Sequence, residues 1–508
     1  MRREVRWAAF TGAALAVAYL LAPPLGTDLS AQVARADFVR GYGFAAVDLR
    51  WYGGTVQYGY SLVSPWVMAL LGARPAGALA LVVSSVAFAA LLVRTGVPRP
   101  LPGALLGAAC FAGNLVSGRV TFALGVAFGL LALLALTASR RPVRLAGAAV
   151  GAALAAATSP VAGLFVGLAA VALLAVRGRR VEAAVLGSAA AVPLGVVALL
   201  AGPGGWMNIS GTDAVHAVLT GVAVAVVVRA ASLRAVRLGA VLSALGVLAA
   251  FAVHTPVGLN ATRLATMFAL PVVAACAVLR WRWLAPALVV LTLWQPPVLV
   301  DDLRDAGNPT AAPSYWQPLL DELARRRPVG RIEIPPTRDY WEAAYAADAV
   351  PLARGWLRQT DLSRNGLFFT GQPLDAGRYR DWLSRNGVSY VALPDATLSW
   401  VGRREGALVR SNVDYLEPVW RNAHWVLYSV HGGPSIVDGG ALVASTGVAV
   451  TLDAAAPGDV LVRVRWSGWL RVRGPAGARL RAGPYGWTTL SAPSAGRYTV
   501  TSAGLRGP

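Results

Sequence analysis

The sequence predicts a polytopic α-helical membrane domain of about 11 spans, followed by an extracytoplasmic α/β domain and a small C-terminal β-sandwich. Three observations carry this. Residues 1–300 hold repeated apolar runs of about 16 to 22 residues, and a run of about 20 residues spans a hydrocarbon core of roughly 30 Å as a helix. Short arginine clusters separate many of these runs. Beyond residue 300 the runs stop and the chain reads as soluble protein. The whole chain is 56% hydrophobic and 14% charged, against about 25% charged in ordinary soluble domains.

Taken in order, the spans read as 6–23, 74–94, 100–116, 120–137, 143–158, 161–176, 182–202, 213–230, 236–254, 263–280 and 283–300. Arginines mark the links: Arg2-Arg3, Arg140-Arg141, Arg177 with Arg179-Arg180, Arg229 to Arg237, and Arg280 with Arg282. Cytoplasmic loops carry such an excess of basic residues. The N-terminus is therefore expected inside, with the links at 24–73, 117–119, 159–160, 203–212 and 255–262 outside. An odd number of spans places everything after Val300 outside as well. The expected domains are 1–300 with its outer loop 24–73, then 301–432, then 433–508, in a bacterial cell (plasma) membrane.

The net charge of +21 comes from arginine, since the chain has no lysine. No basic patch with interleaved aromatics occurs in the soluble part, so nucleic acid is not an expected partner. Cys110 and Cys276 both sit inside apolar spans, with no metal or disulfide spacing. The Arg2-Arg3 start lacks a convincing small-residue cleavage site and reads as an uncleaved first span.

The outward links concentrate the unusual residues: Asp28, Asp37, Asn114, Arg119, His254 and Asn260 through Arg263. Ionisable groups at membrane depth are costly unless paired or facing water. Arg119 and Arg263 run against the positive-inside trend, and an anionic partner such as a lipid-linked phosphate would account for them. Headgroup snorkelling is the structural alternative.

The outer loop reads as an amphipathic helix, a turn and a second helix. Leu29, Val33, Ala36, Phe38 and Val39 recur at helical spacing, and Thr27 or Asp28 can cap that helix. Trp51-Tyr52-Gly53-Gly54 reads as a turn whose aromatics suit a membrane interface.

This loop, with an acidic residue directly after span one, juxtamembrane amphipathic helices and a Trp-Tyr-Gly-Gly turn, resembles that of the GT-C superfamily of membrane glycosyltransferases. The layout of about 11 spans followed by an extracytoplasmic domain does so too. The resemblance implies transfer of a sugar from a polyprenyl-phosphate donor to a cell-envelope glycan or glycolipid on the outer face. It implies Asp28 as general base, with Asp37 in reserve. A carboxylate can take the acceptor proton, and guanidinium groups can hold the departing phosphate through bidentate bonds; Arg119 and Arg263 are the candidates for that role, with Arg40 behind them. Many members of the superfamily carry paired acids, and no adjacent pair occurs in this loop. The resemblance therefore assigns no cofactor and no metal ligand, and leaves use of a divalent cation open.

Residues 301–432 alternate helical and strand patterns: a helix over 315–327, a strand at 330–334, a helix over 378–386, and strands at 388–393 and 424–430. The stretch Arg354 to Asp361, with Trp356 and Arg358, is rich in groups that stack on sugars or bond their hydroxyls. Together with Trp51 and Tyr52 it is the expected acceptor contact, and Tyr340, Trp341 and Glu342 fit the same surface. From 433 on, short alternating runs such as 460–466 and 469–472 read as a β-sandwich, where Trp466, Trp469, Tyr485 and Trp487 are either core or a carbohydrate platform. Two other functions fit the composition: a multi-pass transporter and a non-catalytic envelope-assembly protein. Span centres nearly free of charge and the lack of a visible internal repeat weigh against the transporter.

Overall fold

The computed structural model describes residues 3–202, 204–298 and 300–504. Arg2, Leu299 at the end of the last expected span, and the final four residues of the 433–508 domain lie outside the described residues. The chain divides into two compact units, one of Met1–Gln32 with Tyr58–Ala306 and the other of Val33–Gln57 with Gly307–Pro508.

The first unit is helical. Helices at Arg3–Leu21, Ala73–Arg94, Pro100–Val116, Val120–Ala135, Arg141–Thr158 and Pro160–Leu174 fall on the first six expected spans within a few residues. Arg180–Ala201, Gly211–Val227, Arg234–Ala252, Arg263–Cys276 and Trp281–Trp294 fall on the remainder. Proline opens several of them, at the position where its missing N–H costs nothing; before Pro160, Ser159 Oγ accepts the Ala162 N–H at 3.4 Å. Five segments are long and apolar enough to cross a membrane: Arg3–Leu21, Ala73–Arg94, Arg180–Ala201, Ala231–Ala252 and Gly258–Cys276. Five more apolar helices are only 10–17 residues long, so length and composition support five crossings where about 11 are expected.

The distribution of side-chain size in this unit is inverted relative to a soluble protein. Ala132, Ala148, Ala152, Ala155 and Ala156 make a buried cluster, while Leu199 is 87% exposed, Leu21 82% and Leu293 79%. Small residues let helices approach closely, and large apolar ones face outward where the solvent is lipid. These helices fit a membrane protein.

The second unit begins as a four-stranded sheet in the order Arg331–Glu333, Val388–Pro394, Trp425–Val430, Leu416–Arg421, the first pair parallel and the others antiparallel. Helices Pro313–Arg325, Ala376–Asn386 and Gly402–Arg410 accompany it. The edge strand Leu416–Arg421 and the helix Gly402–Arg410 were not expected from the sequence. Two further four-stranded antiparallel sheets follow, built from strands between Val437 and Ser502. In Gly458–Arg465 the buried residues alternate as Val460, Val462 and Val464, the one-face burial of a sandwich strand.

The outer loop departs from expectation in its middle. Helix Leu29–Tyr42 forms, and Ser64–Leu71 is a second helix, but between them lies a small antiparallel hairpin pairing Val47–Asp48 with Thr55–Val56. Trp51-Tyr52-Gly53-Gly54 is its turn, with Tyr52, Gly53 and Gly54 all at positive φ. The part from Val33 to Gln57 belongs to the second unit.

Candidate functional site

In the first unit, Asp28 stands directly before helix Leu29–Tyr42, in the turn that follows the first span. Its Oδ2 lies 3.5 Å from Arg119 Nε and 3.7 Å from Arg263 Nη2. Arg119 precedes helix Val120–Ala135, and Arg263 is the first residue of Arg263–Cys276, so three chain segments far apart in sequence deliver one carboxylate and two guanidiniums to one place. The three side chains are 18%, 30% and 19% exposed, which leaves them partly accessible. The Arg263 guanidinium also stacks over Phe122 at 5.1 Å.

Backbone packing sets this geometry. The Asp28 N–H donates to Ser117 O at 3.3 Å. Gly26 has φ +89°, and a Cβ there would lie 2.2 Å from Ser117 C; Gly118 has φ +78°, and its Cβ would lie 2.3 Å from Leu29 N. Both positions combine a left-handed conformation with backbone contact, and only glycine satisfies both. Two loops thus close on each other through their glycines and bring Asp28 to Arg119.

A buried polar chain continues from Asp28, and sequence reasoning gave its members no role. Gln32 Nε2 donates to Asp28 O at 3.3 Å and to Tyr60 Oη at 3.3 Å. Thr121 Oγ1 donates to Gln32 Oε1 at 2.6 Å, and Ser64 Oγ lies 2.7 Å from Thr121 Oγ1. Ser117 Oγ donates to Asp302 Oδ2 at 2.6 Å, so a second buried carboxylate is joined to the Asp28 turn through Ser117. The i, i+4 spacing of Asp28 and Gln32 on one helix face was the available signal; nothing in the sequence pointed to Asp302.

The other expected residues belong to the second unit. Asp37 pairs with Arg40, and burial together with Asp348 pushes its carboxyl above the usual range. Asp37 and Arg40 are thus each other's partners, apart from the pairing of Asp28 with Arg119 and Arg263. The loop charges Asp48 and Arg50 also answer to folding: Arg50, 1% exposed, bonds Asp48 at 2.9 Å and pairs with Asp348.

Four of the residues expected at an acceptor contact, Trp51, Tyr52, Arg354 and Asp361, are buried. Trp51 and Tyr52 are 1% and 3% exposed; Trp51 Nε1 donates to Ala343 O at 3.0 Å and Tyr52 Oη to Gly355 O at 2.6 Å. They anchor the hairpin turn inside the unit and are not interfacial aromatics. Arg354 binds Asp361 through two parallel bonds of 3.1 and 2.7 Å and Glu405 at 2.9 Å, with Glu333 at 3.8 Å. All four side chains are buried. Burial and the neighbouring Glu405 carboxylate hold Glu333 well above the usual carboxylate range. This is a structural ion cluster. Trp356 and Arg358 are partly exposed, with the Arg358 guanidinium 5.1 Å over Trp400.

No protein-family model and no curated protein matches this chain. Among solved structures, the chain is similar to the arabinofuranosyltransferase AftD from Mycobacteria, with 16% identity over 90% of this chain and 41% of that one and a TM-score of 0.47. Two structures of a mutant of that protein align at 15% identity, over 100% and 99% of this chain and 60% and 61% of theirs, with TM-scores of 0.46 and 0.47. The chain thus spans between 41% and 61% of the length of these structures.

Proposed function

We propose that the chain is a membrane glycosyltransferase that moves a sugar from a polyprenyl-phosphate donor to a cell-envelope glycan at the outer face of a bacterial plasma membrane. The observation that carries this is the meeting of Asp28 with Arg119 and Arg263. Two guanidiniums facing one carboxylate leave an excess positive charge, which suits an anion of the size and valence of a phosphate.

In the proposed reaction the donor phosphate docks on Arg119 and Arg263 and takes over their charge, freeing the Asp28 carboxylate. Asp28 then removes the proton from an acceptor hydroxyl. The acceptor oxygen bonds to the anomeric carbon as the bond from that carbon to the phosphate oxygen breaks, and polyprenyl phosphate leaves with that electron pair on its oxygen, held by Arg119 and Arg263. Gln32, fixed by Thr121 and Tyr60, holds the turn on which Asp28 sits. Trp356 and Arg358, partly exposed, remain the candidates for acceptor contact.

A divalent cation does not fit this donor set. Asp28 is one carboxylate facing two cations, Asp302 is engaged by Ser117, and among the described residues no group of three His, Cys, Asp or Glu side chains is placed to hold a metal. The arginines take the role of charge compensation.

The test is transfer of label from radiolabelled polyprenyl-phosphate sugars to glycan in membranes containing the protein. Asp28→Asn is expected to lower transfer by about 100-fold to 10,000-fold, the usual contribution of a positioned base. Undiminished transfer by that variant would remove Asp28 from the reaction.

A further inference from the structure

The first unit contains a second feature that the transferase reading does not use. A cavity of about 510 Å³ runs between six helices, lined by side chains such as Phe165, Val166, Leu168, Phe268, Val272 and Cys276. Its wall is apolar nearly throughout, and its polar and charged residues gather chiefly at one end, at Thr95, Thr137, Arg179 and Ser232. Those four residues follow or precede helices at the ends carrying the arginine-rich links. Arg94 Nη1 donates to Thr137 Oγ1 at 3.2 Å, and Arg179 Nη1 to Leu136 O at 3.3 Å. Arg144 and Arg179 share the single carboxylate Glu182, at 3.0 and 3.5 Å. Arg179 itself lines the cavity, and Arg94 and Arg144 stand beside it through Thr137 and Glu182, so positive charge exceeds negative charge around this end.

An apolar interior with a cationic rim has the shape and polarity of an amphiphile. Protein interiors contain few voids larger than a water molecule, and apolar cavities far smaller than this one stay dry and take up hydrophobic ligands. Basic pockets between membrane helices on the cytoplasmic side suit anionic lipid headgroups. The mouth is also distant from Asp28. Arg119 precedes helix Val120–Ala135 and Thr137 follows it, which separates them by roughly 27 Å along the helix axis. A donor lipid whose phosphate is on Arg119 does not place that phosphate here.

We propose that this cavity binds one acyl chain of an anionic phospholipid from the leaflet opposite the Asp28 site, with its phosphate held by Arg94 and Arg179. The inference rests on the membrane reading of the first unit and not on the transferase chemistry, so Asp28→Asn should leave it intact.

The full chain would be reconstituted in nanodiscs of phosphatidylcholine and phosphatidylglycerol, the latter carrying a photoreactive diazirine on its acyl chain. After illumination, crosslinks are expected at cavity residues such as Phe165, Phe268 and Cys276. Crosslinks confined to outward faces such as Val192 and Leu199 would overturn the proposal. In a second arm, Arg94→Gln with Arg179→Gln should lower retention of phosphatidylglycerol relative to phosphatidylcholine by about tenfold or more in native mass spectrometry. Equal retention by the double variant would remove the arginines from the site. A cavity-filling Ala169→Phe, accepted only if it elutes as the wild-type protein does, should lose the cavity crosslinks; their persistence would also count against the assignment.

Discussion

Asp28 and its two arginines make opposite demands on charge and geometry, and substitutions can separate them. Arg119→Lys or Arg263→Lys keeps the charge but removes the planar fork that binds phosphate bidentately. Losing one such charged hydrogen bond is worth about 1.5–3 kcal/mol. Each variant is therefore expected to transfer sugar roughly tenfold to a hundredfold less well at low donor concentration. Donor-concentration curves check this, and an unchanged curve would mean that charge alone suffices. In the second unit, Glu342 illustrates a residue whose oddity is structural. It is 2% exposed, accepts the Thr337 hydroxyl at 2.5 Å, and burial pushes its carboxyl up to about 7. A carboxyl raised in the folded state binds its proton more tightly there than in the unfolded chain. Its stabilisation is fully present below the unfolded value near 4.5 and is lost as pH rises through about 7. Glu342→Gln imitates the protonated form, so it should leave thermal stability unchanged near pH 4 and raise it at pH 8 by roughly 1–3 kcal/mol. Thermal melts of the full chain at the two pH values decide it.

At the scale of elements, the closure of two loops through Gly26 and Gly118 determines whether Asp28 meets Arg119. Gly118→Ala places a Cβ 2.3 Å from Leu29 N at φ +78°, and since backbone cannot yield as a side-chain tip would, the loops must part. Transfer should fall by at least tenfold while the helical circular dichroism stays at the wild-type level, because the helices themselves need nothing from this contact. Full activity would show that the loop spacing is not critical. The same scale explains what was legible in the sequence. The apolar helices announced themselves because length and hydropathy are local properties. The hairpin Val47–Asp48 with Thr55–Val56 was hidden because two-residue strands have no period to read. The edge strand Leu416–Arg421 carries Glu417, Pro418 and Arg421, residues that suit a strand edge but weaken a strand pattern. The burial of Trp51 and Arg354 was illegible for another reason: aromatic and charged residues look alike in sequence whether they face solvent or a partner supplied by a distant segment. Asp28, Arg119 and Arg263 could be named individually as outward and out of pattern, but their ion pairing is tertiary. Gln32 and Asp302 acquire meaning only from it.

At the scale of the whole molecule, the two cysteines make it measurable which side of the membrane each soluble segment occupies. Cys110 and Cys276 are buried at 3% and 2% exposure, so a membrane-impermeant maleimide should find little background. The arginine-rich links argue that the turn after helix Val120–Ala135 is cytoplasmic. The proposed odd number of crossings then places the C-terminal sheets outside. Ala476→Cys and Ser139→Cys both fall at exposed positions, one in a sandwich turn and the other in that link. In intact spheroplasts Ala476→Cys should label fully, and Ser139→Cys should label only after permeabilisation. Five helices meet the length expected of a crossing, and the shorter ones decide the parity. If an odd number of the helices between the two sites fails to cross, the shorter Pro160–Leu174, Gly211–Val227 and Trp281–Trp294 among them, both sites fall on the same side and label only after permeabilisation. That outcome would move the second unit to the cytoplasm and deprive Trp356 and Arg358 of any envelope glycan. Labelling of the Ala476→Cys site alone would place the second unit on the side where a lipid-linked sugar donor and an envelope acceptor are expected to meet.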